Sequence, residues 1–194
     1  MGKKLKSKIY AILYIVLVVV ANLVTIFYKP TILLGLVVPP SSWFMGFTFL
    51  LINIISKYES KRFTCSLIWI GLGLTSLMCF VQSLPQSIVV ASGLAFVISQ
   101  WISNFLFKYW RRKSVGDRIA VTPSWINPSA SFIGSTVDAT IWIILGLSPL
   151  GIGSVSWGEV PLAVLGQVIV QGILQLIANK FLQRAERKKY LGQP

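Results

Sequence analysis

The chain has 194 residues, of which 55% are hydrophobic and only 12% charged, with a formal net charge of +13. A soluble domain of this length averages about a quarter charged residues and still exposes roughly 30% of its unfolded-chain surface; this composition, with its mean hydropathy of +0.75, therefore excludes a water-soluble globule, and the solvent is lipid. The same apolar content excludes an unpacked chain, and two cysteines, Cys65 and Cys79, both in one apolar run, exclude a disulfide scaffold.

The expected fold is an all-α integral membrane protein, a single domain of six transmembrane helices. Residues 9–28 form a charge-free run of 20 residues, enough to cross a hydrocarbon core of ~30 Å at 1.5 Å per residue. This run is longer than the ~7–15 apolar residues of a signal peptide and has no small-residue cleavage pattern after it, so it is expected to stay as a span. Pro39 and Pro40 predict a short loop at about Pro30 to Pro40, followed by a second span at about 41–56. The stretch Phe63 to Phe107 has 45 uncharged residues. The polar break from Gln82 to Ser87 divides it into spans at about 63–84 and 87–107. A fifth span is expected at about 129–147, then a Gly, Ser and Pro-rich loop from Ser148 to Trp157, then a sixth span at about 161–182. Pro161 suits the first turn of that helix.

The basic residues fit this topology. Lys3, Lys4, Lys6 and Lys8 precede span one; Lys57, Lys61 and Arg62 follow span two; Lys108, Arg111, Arg112, Lys113 and Arg118 follow span four. Lys180, Arg184, Arg187, Lys188 and Lys189 close span six, so 17 of the 18 Lys and Arg residues fall on one side, with Lys29 opposite. By the positive-inside rule both termini are cytoplasmic. Charge spread over four short connections at membrane borders serves orientation and anionic-lipid contact, and argues against a nucleic-acid partner.

Much chemistry is missing. The chain has no histidine, which removes the usual general base, most zinc sites and the Ser-His-Asp arrangement. Of its five acids, Glu59, Asp117, Asp138, Glu159 and Glu186, only Asp138 lies well inside a span, so no paired carboxylates exist there for acid-base work. No GxxxxGK[ST] loop is present, and the Gly71-Leu72-Gly73 and Gly151-Ile152-Gly153 runs lack a strand-to-helix context. Cys65 and Cys79 read as small packing residues. The expectation is a protein that is not an enzyme and holds neither cofactor nor metal.

Polar residues inside spans carry the functional reading. An intramembrane acid costs about 2.5–3.5 kcal/mol on insertion scales and marks a site by default. Ser131, Ser135, Asp138 and Trp142 share one face of span five by their spacing. Gln167, Gln171, Gln175 and Asn179 make an amide stripe on span six, able to read a heterocycle edge or to join helices. Ser92, Ser99 and Ser103 share a face of span four beside Gln100 and Asn104; span two offers Asn53 and span one offers Asn22. Such polar groups in an apolar enclosure describe a small-molecule site. Trp69, Trp101, Trp110 and Trp125 are expected to pack or anchor, and Trp43 and Trp157 to mark the outer border.

At these residues the sequence resembles the vitamin uptake transporter family, whose characterised members carry queuosine precursors. Ala91 to Gln100 looks like the family's ASxxAFxxSQ stretch, and Gly134 to Thr140 is similar to its glycine-aspartate element in span five. Gly46-Phe47 through Asn53, Gly166-Gln167 and Ala21-Asn22 resemble its short elements in spans two, six and one. The chain departs from the pattern where Asn53 replaces an acid, Ser103 an aspartate and Gln171 a lysine. The resemblance implies import of a 7-deazaguanine-type purine analogue across the inner membrane. Asp138 would fix the base, Trp142 or Phe96 would stack on it, and Asn53, Gln100, Ser103, Gln167 and Gln171 would line the cavity. Asn22, Ser99, Ser131 and Ser135 complete the candidate set. Two alternatives stand beside this: a substrate-binding subunit of an energy-coupling-factor importer, and a non-transporting membrane assembly protein. Six helices are few for alternating access alone, which favours a homodimer.

Overall fold

The computed structural model describes residues 3–28, 31–33, 36–116 and 122–191. Lys29, Asp117 and Arg118 of the charge pattern lie outside them. The described residues form six helices: α1 (Lys3–Phe27), α2 (Ser42–Tyr58), α3 (Lys61–Val81), α4 (Gln86–Val115), α5 (Ile126–Trp142) and α6 (Val160–Leu191). α5 continues into a π-helical turn, Ile143–Leu147. Five helices are long and apolar enough to cross a membrane: α1, α3, α4, α5 with its π turn, and α6.

The exception is α2, with 17 residues. A helix apolar on every side belongs in an interior, and α2 is such a helix: every residue from Thr48 to Ile55 is buried. It packs against all five other helices. The surrounding helices turn large apolar side chains outward, among them Phe80, Phe105 and Phe181, which suits contact with lipid. Inside, Tyr14 and Val18 of α1, Ile52 and Ile55 of α2, Ile68 of α3 and Phe96 of α4 form the main core.

Without a hydrophobic drive between helices in lipid, close backbone approach holds a bundle together. α5 crosses α4 at Gly134, where an added Cβ would fall 2.6 Å from Ser103 Cβ and 3.1 Å from the Ser99 carbonyl oxygen. α2 crosses α6 at Gly46, whose Cβ would meet the Gln171 carbonyl oxygen at 3.2 Å. Trp69 and Trp101 meet edge-on at 6.3 Å across α3 and α4, and Trp110 and Trp125 lie 5.7 Å apart across α4 and α5. These four belong to packing.

The connections follow local rules. The α3–α4 turn is a Schellman closure: Leu84 N–H donates to the Cys79 carbonyl and Ser83 N–H to the Phe80 carbonyl, with Ser83 at φ 53°. Pro85 then opens α4. One expectation is corrected: within the segment read as a loop, Thr31–Leu33 (β1) and Leu36–Val38 (β2) pair antiparallel, and β2 packs against α6. Backbone groups between two spans need partners where water is scarce, and strand pairing supplies them. Before α6, the Glu159 carboxylate accepts from Ser156 Oγ (2.7 Å) and from Ser156 N–H (2.9 Å), and these bonds hold its carboxyl below the usual range.

Candidate functional site

A cavity of about 520 Å³ enters the bundle from the helix ends opposite the main basic clusters. At its mouth stand Ser41 before α2, Gln82 and Leu84 in the α3–α4 turn, and Leu147 at the end of the π turn. Ala95, Phe96, Asp138 and Gln167 lie deeper. Phe96 is ten residues into α4, about 15 Å at 1.5 Å per residue, so the cavity reaches well into the bundle.

Asp138 is 5% exposed. Its partners are a hydroxyl and an amide, both at the long limit of a hydrogen bond: Ser99 Oγ donates to Oδ1 at 3.4 Å and Gln167 Nε2 to Oδ2 at 3.4 Å. The Ser99 hydroxyl also lies 3.1 Å from the Phe96 carbonyl, so its single proton is contested. Gln167 Oε1 has no partner among the described residues. The deep end of the cavity thus offers a carboxylate with spare lone pairs and an unpaired amide oxygen, both acceptors. Such a surface complements a ligand edge rich in N–H groups. Trp142 and Phe96 supply flat apolar walls. Above Asp138, the π turn holds Gly146 against the Trp142 ring, where an added Cβ would meet ring carbons at 3.0 Å. Gly151 is required behind it, since a Cβ there would collide with the Gly146 carbonyl.

Of the residues singled out in the sequence, Asn22, Phe96, Asp138, Trp142 and Gln167 line this cavity. Ser99 touches Asp138 from below. The remainder lie elsewhere. Asn53, Ser103 and Ser131 meet one another deeper in the bundle: Asn53 Nδ2 donates to Ser103 Oγ (3.0 Å), Asn127 Oδ1 (3.1 Å) and Ser131 Oγ (3.2 Å). Gln100 Nε2 donates to Thr48 Oγ1 at 2.9 Å. The Ser135 hydroxyl donates to its own helix, at the Phe132 carbonyl. Gln171 is fully buried, and neither atom of its amide has a partner among the described residues.

Several wall residues fall outside that candidate set. Thr75 lines the cavity and accepts from Asn22 Nδ2 at 3.2 Å; Met45, Cys79 and Gln82 line it too. Ser92, which the sequence places on one face with Ser99, is also in the wall. Thr75 had no signal beyond a hydroxyl within a span. Among the described residues, no group of three or more His, Cys, Asp or Glu side chains is placed to hold a metal ion.

Phe96 owes its position to Gly71 of α3, where an added Cβ would fall 2.6 Å from the ring's outer carbon. Gly71→Ala is expected to push that ring toward the cavity, an overpacking cost of roughly 1 kcal/mol, and to lower the unfolding midpoint by about 2–4 °C. The loss stays small because a ring edge yields more easily than backbone. Unfolding midpoints of the two proteins in the same detergent check this; an unchanged midpoint would contradict it. No protein-family model, curated protein or solved structure matches this chain.

Proposed function

We propose that this chain is a membrane transporter of six spans, both termini cytoplasmic, that imports a flat hydrogen-bonding small molecule through the cavity ending at Asp138. The observation that carries this reading is the cavity's composition: a carboxylate and an amide acceptor with unfilled capacity, enclosed by Trp142 and Phe96. A residue that only joined helices would be expected to spend its hydrogen bonds on neighbours. The distribution of 17 of 18 basic residues on one side supports the orientation, and the cavity then faces away from the cytoplasm. The ligand class is a purine analogue of the queuosine-precursor type, taken from the resemblance of Ala91 to Gln100 and Gly134 to Thr140, and the membrane is the inner membrane. A 2-amino-oxo heterocycle presents adjacent N–H donors that a carboxylate can take in bidentate fashion.

The test is uptake of labelled 7-deazaguanine-type compounds by proteoliposomes containing this chain alone. Accumulation that unlabelled compound competes away is expected. Binding without turnover until an ATPase module is added would replace the reading with that of an importer subunit. Absence of both would remove it.

Orientation has its own measurement. Cys79 lines the cavity, and Cys65 lies one turn from the other end of α3. A membrane-impermeant maleimide added outside intact cells should label Cys79 and spare Cys65. Labelling of Cys79 only in inside-out vesicles would reverse the topology.

A further inference from the structure

The outer cavity has a counterpart. At the opposite end of the bundle a small cleft of about 20 Å³ is lined by Lys57 of α2, Asn127 of α5 and Asn179 of α6, among others. The same three helices line the outer cavity, through Met45, Asp138 and Gln167. On α6 the amide stripe joins the two concavities: Gln167 lies in one and Asn179 in the other, 12 residues on, about 18 Å along the helix. Gln171 and Gln175 lie between them, buried.

That intervening region is polar and incompletely bonded. Asn53 Oδ1, Gln100 Oε1, Gln175 Oε1 and both amide atoms of Gln171 have no partner among the described residues, although each side chain is at most 1% exposed. Unpaired amides away from water are costly, and a bundle held together only by polar contacts would satisfy them. Their position between two concavities supplies a use: a cargo that hydrogen-bonds would find replacement partners as it passes. One amide ties the surrounding helices together there. Asn53 Nδ2, with two hydrogens, faces three oxygens on two other helices: Ser103 of α4, and Asn127 and Ser131 of α5. Gln175 reaches the same point from α6, its Nε2 3.4 Å from the Ser131 carbonyl.

We infer that the polar segment from Gln171 to Asn127 is the closed inner half of the transport path, and that Asn53 is the latch holding α2, α4 and α5 together across it. This rests on the transport reading, and it makes Asn53 a positioning residue rather than part of the ligand site. The cargo meets Asp138 first; release toward the Lys57 end requires the Asn53 contacts to part.

The test is thiol accessibility. Gln175→Cys is introduced with Cys65→Ser and Cys79→Ala, and an impermeant maleimide is applied to inside-out vesicles. With Asn53 in place, labelling should be slow. Asn53→Ala should raise its rate about tenfold, the population shift that follows from losing one net hydrogen bond. Ser103→Ala, a smaller change at the same contact, should raise it less and serves if Asn53→Ala fails to accumulate. Reagent applied to the other face should gain no access in either variant. Equal rates with and without the latch, fast labelling while the latch is intact, or access gained from both faces together would overturn the inference. The assay uses no ligand, so its outcome is independent of whether purine analogues are carried.

Discussion

Asp138→Asn is expected to lower affinity for a purine analogue by roughly 10- to 150-fold while leaving the unliganded protein at least as heat-stable as the parent. The first half follows from chemistry. An amide of the same shape replaces one carboxylate acceptor with a donor, and hydrogen bonds to charged groups are worth about 1.5–3 kcal/mol. The second half follows from lipid. An acid held by two bonds of 3.4 Å bears much of its insertion cost uncompensated, and asparagine relieves it. A residue kept for structure would show the opposite pattern, with stability lost on substitution. The measurement is paired: binding isotherms and unfolding midpoints of both proteins in the same detergent. A midpoint that falls by several degrees while affinity holds would make Asp138 a structural residue.

The largest structural effect is expected at Gly134. The missing side chain lets α5 lie on α4 so closely that a Cβ would overlap Ser103 Cβ at 2.6 Å and crowd Phe49 Cδ1 and the Ser99 carbonyl oxygen, each at 3.1 Å. None of these is the free end of a flexible chain, so the helices themselves must part. Overpacking of this kind costs about 1–3 kcal/mol. For a protein of this size each kcal/mol moves the midpoint by roughly 2–4 °C, which gives a drop of up to about 12 °C for Gly134→Ala. Gly134→Val should prevent accumulation of folded protein. Ser99, which donates to Asp138, lies on the displaced α4 segment, so ligand affinity should fall alongside stability. Fluorescence-detected size exclusion after heating reads the first effect; an unchanged midpoint for Gly134→Ala would contradict the close crossing.

The difference between these two positions explains what the sequence revealed. Asp138 stood out because lipid penalises an acid wherever it sits in a span, so rarity alone marked it. The helices were legible for a related reason: charge-free length is a criterion that needs no knowledge of neighbours. Even so, α2 matched no simple rule. Its 17 residues read as one more span, and the burial of every residue from Thr48 to Ile55, with packing against all five other helices, makes it the hub of the bundle as well. The β1–β2 pairing was hidden because Thr31 to Val38 reads as an apolar run with a glycine in it.

Within the site, depth was readable and rotation was not. Counting residues from a span's end says how deep Asn53, Ser103 and Ser131 lie. It does not say that they turn toward one another instead of toward Asp138. That outcome depends on which helices approach closely, and therefore on Gly134 and Gly46, whose role emerges only when both partners of a crossing are known. Thr75 and Cys79 were not legible as wall residues for the complementary reason. Each is an ordinary packing residue by type, and only its place beside the space between α1, α3 and α4 makes it a wall.

The proposed transport rests on the cavity above Asp138 binding a flat, donor-rich heterocycle. The most direct measurement is thermal unfolding of the purified chain and of Asp138→Asn across a panel of 7-deazaguanine-type compounds, purines and water-soluble vitamins. Ligand at about 100 times its Kd stabilises by about 2.7 kcal/mol, several degrees at this size. A saturable upward shift is expected with the deazaguanine-type compounds for the parent chain and none for Asp138→Asn at the same concentration. No shift with any compound in the panel, or an equal shift in both proteins, would contradict it.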